Sequence, residues 1–146
     1  MPKSALRLLA GDTDDLAIIA AACQDGVVRM GDFSYDRTQR RFTLVMARFR
    51  WETARKRGPY ERIRAALSFE SVLRVRTRRL RTDAPDAVAA LLTMTFEPGE
   101  ISPAGLVRMT LAGGGDIALE VECLDVVLAD MGAAWPTPHR PNHDRS

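Results

Sequence analysis

Leu106-Val107-Arg108-Met109-Thr110-Leu111-Ala112-Gly113-Gly114-Gly115-Asp116-Ile117-Ala118-Leu119-Glu120-Val121-Glu122-Cys123 is the stretch whose reading decides the fold. Val107, Met109 and Leu111 alternate with Arg108 and Thr110. Beyond the three glycines, Ile117, Leu119, Val121 and Cys123 alternate with Ala118, Glu120 and Glu122. Successive side chains on a strand point to opposite faces, so each half has one dry and one wet side. The pattern predicts a β-hairpin lying against a core, with the glycines as its loop. Phosphate-cradling glycine loops run from a strand into a helix; this one returns as a strand, so it reads as a turn.

Working back from the hairpin, Leu92, Met94 and Phe96 alternate with Thr93 and Thr95 over 91–97, and Pro98-Gly99 suits a tight turn. Asp83 to Asp86, around Pro85, reads as a turn. Val72 to Arg78 sets Leu73, Val75 and Thr77 against Arg74, Arg76 and Arg78, so three guanidinium groups project from one side of a strand. Ile63 to Glu70 precedes it as a second strand, or as the first part of one long strand broken near Ser71. Arg41 to Trp51 places Leu44, Met46 and Arg48 on one side and Val45, Ala47, Phe49 and Trp51 on the other. Val27 to Phe33 is the first main strand, and Ala5 to Ala10 an edge strand.

Two helices are expected. Asp12 or Thr13 caps the first, with Asp15 three residues on in the manner of a capping box. Leu16, Ile19, Ala20 and Cys23 form its apolar stripe, and Asp25-Gly26 end it, the glycine taking the left-handed position. Asp12, Asp14 and Asp15 suit a helix start and are read as structural. Past Cys123 the apolar spacing changes to three and four, and Leu124, Val127, Leu128 and Met131 predict a closing helix that stops at Gly132. The expected fold is α+β: a mainly antiparallel sheet or half-open barrel of about seven strands, with an N-terminal and a C-terminal helix. Its element order matches the pleckstrin-homology-like barrel, an analogy that carries no functional residue. One domain is expected over 1–135, with 136–146 as an extended or disordered tail.

The 146 residues, 46% hydrophobic, suffice for a core without disulfides or metal. Cys23 and Cys123 lie in apolar patterns without CxxC spacing and read as buried thiols of a reducing compartment. No signal peptide or membrane span is read from the sequence, and the expected location is the cytoplasm. Net charge is only +2, but residues 37–81 hold fifteen basic and three acidic side chains. Residues 1–36 hold three and six, and residues 82–146 three and ten. A centre at +12 therefore lies between flanks at −3 and −7.

Asp14-Asp15-Leu16, Gln24-Asp25, Arg40-Arg41-Phe42, Arg48-Phe49-Arg50-Trp51-Glu52, Ala112-Gly113-Gly114-Gly115, Val121-Glu122-Cys123 and Trp135 carry a likeness that spans most of the chain. On these segments the sequence resembles a small proteobacterial domain-of-unknown-function family, DUF2948. The resemblance implies a bacterial cytosolic protein and brings no activity, cofactor or site residue.

The chemistry on offer is sparse. The two histidines, His139 and His143, flank Pro141 in the proline-rich tail, where a shared metal would need a helix. No metal or cofactor is expected, and without a histidine in the body a Ser-His-Asp or Cys-His site would have to recruit the tail. Glu120 and Glu122 have the spacing of paired carboxylates, but any wet strand face produces such a pair. The feature with functional content is basic: Arg74, Arg76 and Arg78, with Arg48 or Arg50 and the Arg55, Lys56, Arg57 loop. These form a candidate polyanion-binding patch, with Tyr60 as a stacking group. Alternatively the arginines pair across the sheet with Glu120, Glu122 and other acidic residues. Two functions stand ahead of catalysis. The first is a protein-interaction or scaffold domain, serving a protein partner or a homodimer through a sheet edge or an apolar patch near Phe33, Tyr35 and Trp51. The second is nucleic-acid or other polyanion binding.

Overall fold

The hairpin forms where the alternation places it, and the rest of the chain wraps into the same sheet. The computed structural model describes residues 6–54 and 59–141. Among these lie nine strands, one α-helix and a short 3-10 turn at Trp51–Thr53. The elements are β1 (Arg7–Ala10), α1 (Thr13–Cys23), β2 (Val27–Asp36), β3 (Arg41–Phe49), β4 (Tyr60–Phe69), β5 (Val72–Arg78), β6 (Val88–Pro98), β7 (Gly105–Leu111), β8 (Asp116–Val121) and β9 (Val126–Thr137).

The strand order is β1-β9-β4-β3-β2-β6-β7-β8-β5, and every neighbouring pair is antiparallel. β4 and β5 are consecutive in sequence, yet β4 is third in the sheet and β5 is last. The sheet must therefore roll over to bring its far edge back to the middle. It does so at the short β2–β6 junction, where bulges interrupt both strands between Val28 and Phe33 and between Leu91 and Thr93. Ser71, at φ 57°, makes the corner between β4 and β5. The amide of Val72 donates to Arg40 O, that of Glu122 to Ser71 O, and the Tyr35 hydroxyl to Val72 O. The sheet remains open, with β1 and β5 as its edges.

Inside the roll, Leu44 and Met46 of β3, Leu67 and Phe69 of β4, Met109 and Leu111 of β7, and Ile117 and Leu119 of β8 share one core with Leu16, Ile19 and Cys23 of α1. Each fully buried side chain of this kind contributes about 1.5–3 kcal/mol. The start of α1 is as expected, Asp12 accepting from the amide of Asp15 at 2.8 Å. Its end differs. Asp25, at φ 63°, takes the left-handed position, while Gly26 is needed for space, since a Cβ there would lie 2.9 Å from the backbone oxygen of Cys23.

The closing helix is not formed. Residues 126–137 are instead β9, inserted between β1 and β4. Its buried set is Val126, Leu128 and Asp130, a strand alternation in which a charged residue stands at an inward position. A charged residue at an inward position interrupts the period of two, and Leu124, Val127, Leu128 and Met131 then mimic a helical stripe. Gly132, the expected stop of that helix, has φ 71° and sits in a bulge where β9 carries extra residues opposite Arg62 to Arg64 of β4. β9 also reaches into the expected tail, Pro136 and Thr137 pairing with Glu61 and Tyr60.

Candidate functional site: the arginine clusters and the open sheet edge

The arginines singled out by the sequence fall into two groups at different places in the sheet. Arg48 shares the parity of Leu44 and Met46 and is fully buried. Its Nε donates to Asp130 Oδ1 at 2.7 Å and its Nη2 to Asp130 Oδ2 at 2.8 Å. Nη1 and Nη2 donate to Glu52 at 2.9 and 2.6 Å, and Nη1 also approaches Phe49 O at 3.4 Å. All five N–H groups of the guanidinium are thus directed to acceptors. Burial alone would pull this group down, but the hydrogen bonds of Asp130 and Glu52 outweigh it and hold Arg48 above its ordinary value. Asp130 Oδ2 also accepts from the amide of Leu6, so the pair fastens the entry to β1. Cys23 lies close enough to feel both charges. Burial pushes its thiol up to about 12, with Arg48 pulling it partly back, which leaves it a neutral, inert group.

Arg50 is also largely buried, its Nη1 donating to Glu61 and its Nε 3.9 Å from Glu52. Arg62 donates to Asp25 O and Ala47 O and lies over the Phe49 ring; burial draws it below its ordinary value, Asp25 acting the other way. Trp51 stacks edge-on to Phe49 at 4.5 Å and donates to Gln24 O. Phe33 packs on Phe42. The aromatics expected to offer an apolar patch are therefore engaged within the fold. Arg55, Lys56 and Arg57 lie outside the described residues.

Arg74, Arg76 and Arg78 stand together on the outer face of β5, as the alternation predicts, and all are exposed. In register they face Glu120, Ala118 and Asp116 of β8. Arg74 lies 3.4 Å from Glu120 and Arg78 2.7 Å from Asp116, while Arg76, opposite an alanine, has no ion pair among the described residues. Glu122 is beyond the end of β8 and pairs with Arg40, so Glu120 and Glu122 do not face a common space as a carboxylate pair. Arg79 and Arg81 extend the exposed basic run past the strand.

Beside these residues is an open groove of about 770 Å³ on the outer face of β5, β8 and β7, with the β6–β7 turn as its far wall. Leu106 and Ala118 give it apolar surface; Arg76, Arg78 and Arg108 line it together with Glu97, Asp116 and Glu120. Alternation in the sequence sets Arg76, Arg78, Arg108, Ala118 and Glu120 on wet strand faces but does not assemble them. The available signal was the hairpin loop, whose register sets Arg108 against Ala118.

The backbone of β5 completes the site. Leu111 N donates to Gly115 O, which fixes the phase of the β7–β8 ladder. Antiparallel alternation then directs the peptide groups of Ile117 and Leu119 to β7 and those of Asp116, Ala118 and Glu120 to β5. Arg74, Arg76 and Arg78 use their peptide groups in that ladder. Val75 and Thr77 present theirs to the open edge.

Among the described residues no helix is long and apolar enough to cross a membrane, and no cluster of three or more His, Cys, Asp or Glu is placed to hold a metal ion. No curated protein and no solved structure matches the chain. The model of a family described as protein of unknown function, DUF2948, matches residues 6–143, nearly the whole length, and the chain belongs to that family.

Proposed function

We propose that this protein is a non-catalytic interaction domain that receives an extended segment of a partner protein at the β5 edge. The observation that carries this reading is the edge itself: a seven-residue terminal strand whose Val75 and Thr77 peptide groups face no other strand among the described residues, beside an open groove. Strand addition at such an edge gives affinity through main-chain hydrogen bonds and selectivity through alternate side chains. The other edge, β1, is only four residues long. Two free cysteines, one of them fully buried, support a reducing compartment such as the cytoplasm.

Polyanion binding is supported less. Arg48 and Arg50 are enclosed by carboxylates, and in the groove three arginines are matched by three carboxylates. A nucleic-acid backbone draws its affinity from several unneutralised cations, and among the described residues Arg76 is the one arginine of its strand without a carboxylate.

The test is a random-peptide display selection on the wild-type protein, repeated on Thr77→Pro. Proline at this position removes an edge-facing N–H and costs no ladder bond. Selected peptides are expected to slow amide exchange at Val75 and Thr77, and to lose binding to Thr77→Pro but not to Thr77→Ala. Peptides that bind Thr77→Pro equally well refute the edge as the site.

A further inference from the structure

Resting on that reading, we infer that the β5 edge selects an acidic partner strand, one of whose carboxylates is received by Arg76. A strand added beside β5 places every second side chain on the outer face, as a direct cross-strand neighbour of Arg74, Arg76 or Arg78. The flanking two already have carboxylates on the β8 side, at 3.4 and 2.7 Å. Arg76 has Ala118 there instead, which offers its guanidinium no acceptor, between two neighbours that each have one. An incoming Asp or Glu opposite Arg76 completes the row with a charge-assisted, bidentate hydrogen bond.

The same row decides against a second copy of this chain. Two β5 edges paired antiparallel would set arginines of one strand against arginines of the other, and like charges directly opposite destabilise a sheet. The exposed Arg79 and Arg81 extend the repulsion. Protected in this way against its own edge, β5 is left open to strands of opposite charge. On the other face of β5, Val75 packs against the core, while Leu73, carried outward by the bulge between Val72 and Arg74, joins the groove. The residues of the partner that point to that face are therefore apolar. The segment recognised is an alternation of acidic and apolar residues, with the acidic set over the groove.

Three synthetic peptides of one length test this: alternating Glu and Val, and the same with Gln or with Lys in place of Glu. Binding is read by fluorescence anisotropy, and the site by amide exchange at Val75 and Thr77. The Glu peptide is expected to bind and protect both amides, with the Gln version weaker by about tenfold, the loss of one charge-assisted contact. Arg76→Glu, an exposed position opposite an alanine, is expected to fold normally and to reverse the preference toward the Lys peptide. Equal binding of the Glu and Gln peptides with both amides protected overturns the acidic selectivity while the edge reading stands. Display-selected peptides that protect the edge but carry no acidic residue do the same. If no peptide of any origin protects Val75 and Thr77, both readings fall together. Labelled duplex DNA that binds wild type, but not Arg76→Glu, assigns the arginine to phosphate and overturns the proposal.

Discussion

Arg48 and Arg76 are the same residue type, each on a strand and each at a position that alternates with its neighbours, and the fold treats them in opposite ways. Arg48 is fully enclosed and its five donors are met by Asp130, Glu52 and Phe49 O. Arg76 is exposed, faces an alanine, and has no ion pair among the described residues. The first is a fastener that joins β3 to β9 and, through Asp130, to the start of β1. The second is an exposed charge that no carboxylate among the described residues holds. The difference lies in what the neighbouring strand offers: β9 brings a carboxylate inward, whereas β8 brings a methyl group outward.

The sharpest way to break this contrast is to remove the buried carboxylate. Asp130→Ala leaves the Arg48 guanidinium enclosed with two of its five hydrogen bonds gone, and a broken buried pair costs about 3–5 kcal/mol. Denaturant titration is expected to show a loss of that size. The double variant Arg48→Met, Asp130→Leu is expected to recover most of it, because the remaining Glu52, 34% exposed, can turn to water. A double variant as unstable as the single one would mean that the pair supplies more than charge compensation.

How much of this was legible follows from the same two positions. The hairpin, the bounds of β5, and the outward direction of Arg74, Arg76 and Arg78 are local alternation, and local alternation is written in the sequence. The parity of Arg48 with Leu44 and Met46 also pointed it inward. What stayed hidden was its partner, 82 residues away on a strand disguised by that partner. An inward Asp130 reads as a wet position until Arg48 is placed against it, so the buried pair and the lost strand β9 were one error. The groove was hidden for a related reason: its walls come from β5, β6, β7 and β8, and β5 reaches β8 only through the roll of the sheet, which no short window contains.

Acid offers an intermediate effect on the buried cluster. Burial raises the Glu52 carboxyl, but the hydrogen bonds and charge of Arg48 outweigh it and hold Glu52 below its ordinary value. A carboxylate depressed by folding stabilises the fold above its unfolded pKa, near about 4.3, and loses that contribution as pH falls through the folded value. The stability advantage of the wild type over Glu52→Gln is therefore expected to shrink between about pH 6 and pH 3 in urea titrations. A constant difference across that range would place the value of Glu52 in its shape and not in its charge.

The smallest stability effects belong to β5, and they are informative because they are small. Arg74 and Arg78 are 59% and 71% exposed, so each cross-strand pair is shared with water. Arg74→Ala and Arg78→Ala are each expected to cost less than about 1 kcal/mol. Arg76→Ala has no ion pair to lose on β8 and is expected to change stability least of the three, by about 0.5 kcal/mol or less. Thermal melts of the three variants under one buffer rank them. If Arg76→Ala proved the most damaging, its charge would be spent within the fold and β5 would have nothing left for an acidic strand. If it proved silent in stability, yet decisive for the Glu peptide, the guanidinium that does least for the fold would be the one that does most at the edge.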